Sequence, residues 1–217
     1  MVKDYKTIYE GGVGEIVEKK SRFIGTIAHV ESEEEAIAFI ERIKKQYWDA
    51  RHNCSAYIIG ERQEIMRCSD DGEPAQTAGK PMLDVLSGQG LCNVVAVVTR
   101  YFGGTLLGTG GLVRAYSKAV QEGLAHSVII EKHLADELVI TTDYNGIGKI
   151  QYLLAQEGVV STDTEYTDVV VVTVPIPVDR TTQLKTKIIE GTNGRAKIQV
   201  KRQLYYGMVG KETILFD

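Results

Sequence analysis

The sequence predicts an α+β protein in two parts, an N-terminal α/β region over residues 1–132 and a C-terminal ferredoxin-like domain over residues 136–217. Three observations predict this. The 217-residue length, set against ordinary domains of about 100 to 200 residues, fits two modest domains or one large one. A capping-box helix and a fully apolar strand mark the first part as mixed α and β. The remaining chain reads strand, helix, strand, strand, helix, strand, which is the split βαβ order.

Phe23 to Val30 reads as a strand. Ser32, with Glu35 three residues on, forms a capping box in front of Ile37, Ile40, Ile43 and Tyr47, which share one helical stripe. A helix dipole favours the acidic first turn, so its glutamates need no functional role. Trp48 at the end of that helix is expected to close the small core beneath it, with base stacking by Trp48 or Tyr47 as the alternative. Cys54 to Ile59 and Glu64 to Cys68 are expected to pair as a hairpin around Gly60. The polar stretch from Ser69 to Pro81 is then irregular, and Pro81 opens a short helix through Met82, Leu83, Val85 and Leu86 that stops near Gly88.

Val94 to Thr99 is apolar without alternation, the pattern of a strand buried on both faces. It runs through Arg100 into a glycine-dense turn and a helix bearing Val113, Tyr116, Val120 and Leu124. A connector lacking glycine and proline, between Glu131 and Asp136, is placed at the domain boundary. The second part comprises a strand at Leu138 to Thr142, a helix capped by Asp143 and stopped at Gly158, strands from Val159 to Tyr166 and from Asp168 to Val174, a helix capped by Asp179, and a strand from Ala196 to Tyr205.

A hydrophobic fraction of 43% and a charged fraction of 25% supply a real core. The net charge of -4 argues against general polyanion binding, so any nucleic-acid site is a local basic patch. Cys54, Cys68 and Cys92 include no CxxC pair and indicate neither a disulfide framework nor a zinc site. The N-terminus has no apolar leader and no run approaches the ~20 residues of a membrane span, so the expected address is cytoplasmic, with no membrane partner.

The candidate chemistry lies in three places. Between Arg100-Tyr101 and Arg114 the chain places Gly103, Gly104, Gly108, Gly110 and Gly111. Glycine permits positive φ and close backbone approach, and the next helix offers oriented N–H donors. Thr109 stands where a P-loop lysine belongs and the dinucleotide fingerprint fails at its last glycine. What remains is an anion concavity; tight helix-on-sheet packing is the other use for these glycines. Asp70, Asp71 and Glu73, beside Lys80, have the chemistry to hold Mg²⁺ against substrate phosphates, or to shape the turn themselves. Arg51 and His52 precede a strand where both can reach a phosphate. No nucleophile elbow surrounds Ser69, no cysteine has a basic partner, and His29, His126 and His133 stand singly, so no catalytic residue is assigned.

Three ordered motifs carry a specific resemblance. Arg51-His52-Asn53-Cys54-Ser55-Ala56-Tyr57, Ser69-Asp70-Asp71-Gly72-Glu73-Pro74 with Thr77-Ala78-Gly79-Lys80-Pro81, and Arg100-Tyr101-Phe102-Gly103-Gly104 through Gly108-Thr109-Gly110-Gly111-Leu112-Val113-Arg114-Ala115-Tyr116 resemble the YigZ/IMPACT family from Ser21 to Leu124. The resemblance implies an N-terminal α/β sandwich of the fold shared by the second domain of a small-subunit ribosomal protein, domain IV of elongation factor G and the GHMP sugar kinases. It also implies a ferredoxin-like C-terminal domain and a translation-linked role. Eukaryotic members restrain a starvation-responsive kinase by competing for its activator through an RWD domain; that domain is not expected here, so kinase regulation is not carried over. A peptidase label attached to some members finds no supporting residues.

The expected function is a translation-linked regulatory protein that binds RNA, or a ribosomal or translation-factor surface, without chemistry and without a cofactor. Its groove is expected to unite Arg51, His52, Lys80, Arg100, Tyr101, the five glycines and Arg114, with Tyr101 or Phe102 offering a stacking face. The alternative is a Mg²⁺-dependent nucleotide- or phosphate-handling enzyme with its metal on Asp70, Asp71 and Glu73. Protein partnering through the C-terminal domain stays open beside both.

Overall fold

The structure, a computed structural model, describes residues 2–216. The chain folds as two units, Asp4–Glu131 and Lys132–Asp217. The first contains, in order, β1 (Asp4–Glu10), β2 (Val13–Glu18), β3 (Ser21–His29), α1 (Glu33–Gln46), β4 (His52–Ile59), β5 (Ile65–Ser69), α2 (Gly79–Gly88), β6 (Val94–Tyr101) and α3 (Thr109–Ala125). Five of these strands form an antiparallel sheet in the order β2-β3-β6-β4-β5.

The unbroken apolar run of β6 follows from its central place, because successive side chains leave opposite faces of a strand. Val94, Ala96 and Val98 pack with Phe23, Leu86 and Val120 beneath α2 and α3, while Val95 and Val97 pack with Phe39, Ile40 and Ile43 of α1. The result is an α/β sandwich with one helix on one face and two on the other. Ile8 of β1 joins the core on the two-helix side.

α1 opens at its capping box, the Ser32 hydroxyl accepting from the Glu35 N–H at 3.2 Å. Its stripe is rotated from the expected one. Ala36, Phe39, Ile40 and Ile43 are buried at helical spacing, and Ile37, one step round the helix, faces out. Trp48 does not close the core: it is 82% exposed. α2 begins at Gly79, so Pro81 is its third residue, still within the first turn where a missing N–H leaves no bond unmade.

The second unit continues β7 (Val128–Thr142) and adds α4 (Ile147–Gln156), β8 (Asp163–Tyr166), β9 (Val170–Pro177), α5 (Thr181–Gly191), β10 (Lys197–Val209) and β11 (Glu212–Phe216). Its sheet runs β11-β10-β7-β9-β8. Counted from β7, the first four strands lie in the order 4-1-3-2, the ferredoxin-like arrangement, with β11 added by a hairpin. Leu138, Ile140, Val170, Val172, Val174 and Ile176 alternate onto one face against Ile150, Leu154, Leu184 and Ile188 of the two helices.

Several local expectations change. The stretch from Glu131 to Asp136 is no connector but part of β7. β8 has only four residues. Asp143 receives the Gly146 N–H at 2.7 Å, in the turn before α4. Asp179 pairs with Lys3 at 2.6 Å instead of capping α5, whose N-cap is Arg180. No helix among the described residues is long and apolar enough to cross a membrane.

Candidate anion-binding cavity

In the first unit, the start of β4, the end of β6 and the start of α3 meet around a cavity of about 680 Å³. Antiparallel register sets His52 opposite Arg100. Pro74, Phe102, Leu106, Leu107 and Leu112 give the cavity an apolar wall, and Asp49, Arg51, His52, Glu73 and Arg100 supply charge and polarity. Gly108 and Thr109, at the opening of α3, line it too, and that helix start has no side-chain cap.

Arg100 is the unusual member. Its side chain is 7% exposed and that of its partner Glu73 is 4% exposed. Nη1 donates to Glu73 Oε1 at 2.6 Å, and the Tyr116 hydroxyl donates to the same oxygen at 2.8 Å. The guanidinium carbon lies 5.3 Å from the Phe23 ring centroid and 5.6 Å from that of Phe102. Its buried Nε has no hydrogen-bond partner among the described residues. A buried donor left unpaired costs about 1–3 kcal/mol, more on a charged group.

The acidic loop does other work. Asp70 accepts N–H bonds from Gln76, Ala78 and Gly79 at 2.8, 3.0 and 2.8 Å, so one carboxylate folds the loop and caps α2. Burial pushes the Asp70 carboxyl up, and these three bonds together outweigh it and hold the group below the ordinary carboxylate value. Asp71 accepts from the Asn53 N–H at 2.7 Å and faces Lys44 at 3.3 Å. Glu73 turns inward to Arg100. The three carboxylates thus point to three different partners, and no group of three His, Cys, Asp or Glu side chains suited to a metal ion occurs among the described residues. The Mg²⁺ arrangement expected on Asp70, Asp71 and Glu73 is not assembled.

Other reactive groups near the cavity are held neutral. Burial pushes the Cys54 thiol up to about 12, and its Sγ donates to the Asp70 carbonyl at 2.9 Å. Burial also raises the Tyr116 hydroxyl far above its ordinary value. His52 Nδ1 lies 3.0 Å from the Asp71 carbonyl, an acceptor, so Nδ1 carries the proton.

Of the groove residues expected from sequence, Arg51, His52, Arg100, Tyr101 and Gly108 line the cavity. Lys80 does not; it pairs with Asp84 beside a separate hollow. Arg114 lines another, with Ile16, Glu18 and Lys118. Gly103 is a packing glycine: its N–H donates to Ser21 Oγ at 3.0 Å, and a Cβ there would stand 2.1 Å from the Lys20 carbonyl carbon. Gly104 and Gly108 adopt φ of +83° and +73° with open space beside them. Gly110 and Gly111 fall in the first turn of α3. The apolar wall was not expected beyond Phe102, and the Leu106-Leu107 pair inside a glycine-rich turn was its one sequence signal.

Comparison with known proteins agrees with this division. Residues 19–124 match the Impact N-terminal domain, and residues 140–195 match a domain of unknown function, DUF1949. The chain is 44% identical to the IMPACT family member YvyE of Bacillus subtilis over 199 residues, 92% of each chain. It is 38% identical to the IMPACT family member YigZ of Escherichia coli over 182 residues, 83% of this chain and 89% of that one. A crystal structure of an hypothetical protein is similar at 34% identity with a TM-score of 0.59, covering 93% of this chain and 99% of the other.

Proposed function

The chain belongs to the IMPACT family, and from that premise we propose that it is a translation-linked regulatory protein that binds RNA through the Arg100 cavity and performs no chemistry. The family resemblance supports the link to translation. One observation carries the RNA part: a buried guanidinium with an unpaired Nε lies under Phe102, a ring that is 53% exposed, beside the uncapped start of α3. A cation, a helix N-terminus and an exposed aromatic face together fit a phosphate with an attached base. Arg51 adds a second cation to the lining.

An enzyme reading finds less support. The Glu73 carboxylate is taken by Arg100 and Tyr116, the Cys54 thiol and Tyr116 hydroxyl stay protonated at neutral pH, and the carboxylates of the loop are separately engaged.

Fluorescence anisotropy with a labelled oligoribonucleotide, titrated with the full chain over a range of salt, tests the proposal. Affinity is expected to fall linearly with salt on logarithmic axes, and Arg51→Ala is expected to weaken it. Absence of binding at low salt rejects the proposal.

A further inference from the structure

We infer that the cavity takes one unstacked nucleotide with its monoanionic phosphodiester, and that it excludes both base-paired nucleic acid and dianionic phosphate monoesters. This deepens the RNA-binding proposal and rests on it.

Depth excludes the duplex. The Arg100 side chain is 7% exposed and forms part of the cavity wall. Phosphates of a duplex ride on its outside with the bases turned inward, so they reach surface cations only. To reach Arg100, a nucleotide has to leave the stack and enter. The volume of about 680 Å³ lies within the range of about 300–1,000 Å³ that suits a single small ligand. The departing base loses its stacking partners, and Phe102 offers a replacement face from which the same Arg100 is 5.6 Å away.

Charge limits the phosphate. The cavity holds two cations, Arg51 and Arg100, and two carboxylates, Asp49 and Glu73. Glu73 sits 2.6 Å from Arg100, and Asp49 accepts from the Tyr101 hydroxyl at 2.7 Å, so both carboxylates stay in place. His52 adds no donor toward a ligand when neutral, because its proton is held on Nδ1 by the Asp71 carbonyl. The remaining positive potential comes from the start of α3, equivalent to about half a unit charge. That balance suits one negative charge; a second would face Glu73 and Asp49. In its neutral form His52 presents Nε2 as an acceptor for a ribose hydroxyl or a base N–H.

The experiment uses the full chain at pH 7.5 with a labelled single-stranded octaribonucleotide, a blunt RNA duplex of the same sequence, the dinucleotide ApA, and 5′-AMP, whose phosphate is dianionic at this pH because its second pKa is about 6. The single strand is expected to bind at least ~10-fold more tightly than the duplex, and ApA to displace it where equal 5′-AMP does not. Phe102 is at the rim, so Phe102→Ala keeps the fold, checked by circular dichroism, and lowers single-strand affinity roughly 5- to 150-fold, the worth of one base–aromatic stack; Phe102→Tyr restores it. Equal affinity for the duplex, displacement by 5′-AMP as effective as by ApA, or an unchanged Phe102→Ala overturns the inference while leaving RNA binding intact. No binding to any RNA overturns both.

Discussion

Glu73 in the first unit and Glu157 in the second each hold two donors, and the contrast shows how each unit uses a carboxylate. Glu157 accepts from Lys187 at 2.5 Å and Arg180 at 2.6 Å with 19% of its side chain exposed, and these two cations hold its carboxyl below the ordinary value. Arg180 also donates to the Glu157 carbonyl, tying the end of α4 to the start of α5. This is a staple in water, screened by salt. Glu73 and Arg100 are buried, and the guanidinium keeps an unpaired Nε at a cavity. The Glu157 ion pairs lie at the surface; the Glu73–Arg100 pair lies beneath an apolar wall with one guanidinium N–H unmatched. A buried donor left unmatched is rare enough in folded proteins that this one sets the first unit's ion pair apart.

The largest test removes both carboxylates in turn. Glu73→Ala leaves Arg100 buried without a counter-charge, a loss of about 3–5 kcal/mol, which corresponds to a fall in Tm on the order of 10 °C. Glu157→Ala is expected to move Tm little. Differential scanning calorimetry reads both, and equal falls would break the contrast.

Glycine sharpens it next. At Gly103 a Cβ would meet backbone of Lys20 and Ser21 at 2.1–2.4 Å, which cannot swing aside. At Gly191, in the second unit, it would meet the Leu153 and Lys149 side chains at 3.0 and 3.2 Å, which can. Gly103→Ala is therefore expected to cost about 1–3 kcal/mol, and Gly191→Ala close to nothing, by urea denaturation. Comparable losses would show that the turn after β6 yields more easily than its contacts indicate.

How much of this was legible in the sequence differs by level. The ferredoxin-like order emerged from period-two and period-3.6 runs, and the twofold burial of β6 from its lack of alternation. β1, β2 and β11 escaped notice because β1 and β2 carry many exposed residues and β11 is a five-residue hairpin arm. Helix phase was misjudged by one residue at Ile37, where sequence alone cannot tell which of two adjacent apolar positions turns inward. At the cavity, Arg51, His52 and Arg100 were visible as polar motif residues. The inward turn of Glu73, the capping role of Asp70 and the departure of Lys80 and Arg114 depend on loop geometry that no periodicity encodes.

Asp70 provides a smaller effect with a pH signature. Its folded pKa is depressed, so its ionised form contributes stability above the unfolded value of about 3.9. That contribution is lost as pH falls through the lower folded value. Urea midpoints are expected to drop below about pH 4 in the unmodified chain and to drop less in Asp70→Asn. At neutral pH, Asp70→Ala is expected to cost about 1–2 kcal/mol as a lost helix cap. Asp143, which receives a single N–H outside its helix, is expected to cost less when replaced by alanine. Identical pH profiles for Asp70→Asn and the unmodified chain would remove the loop carboxylate from the account of the first unit's stability.

The smallest expected effect is the most discriminating for the location of the site. Lys80→Ala and Arg114→Ala remove cations that lie beside separate hollows, Lys80 already paired with Asp84. If RNA enters at Arg100, each change removes an exposed charge outside the cavity lining, and single-strand affinity at physiological salt is expected to stay within about twofold, since salt screens exposed charges that do not touch the phosphate. Arg51→Ala, in the cavity wall, is expected to weaken binding more and to flatten the salt dependence by about one phosphate contact. A loss at Arg114 exceeding that at Arg51 would move the interface to the flank of α3, and the unpaired Nε of Arg100 would then mark structural strain in the first unit instead of a place for a ligand.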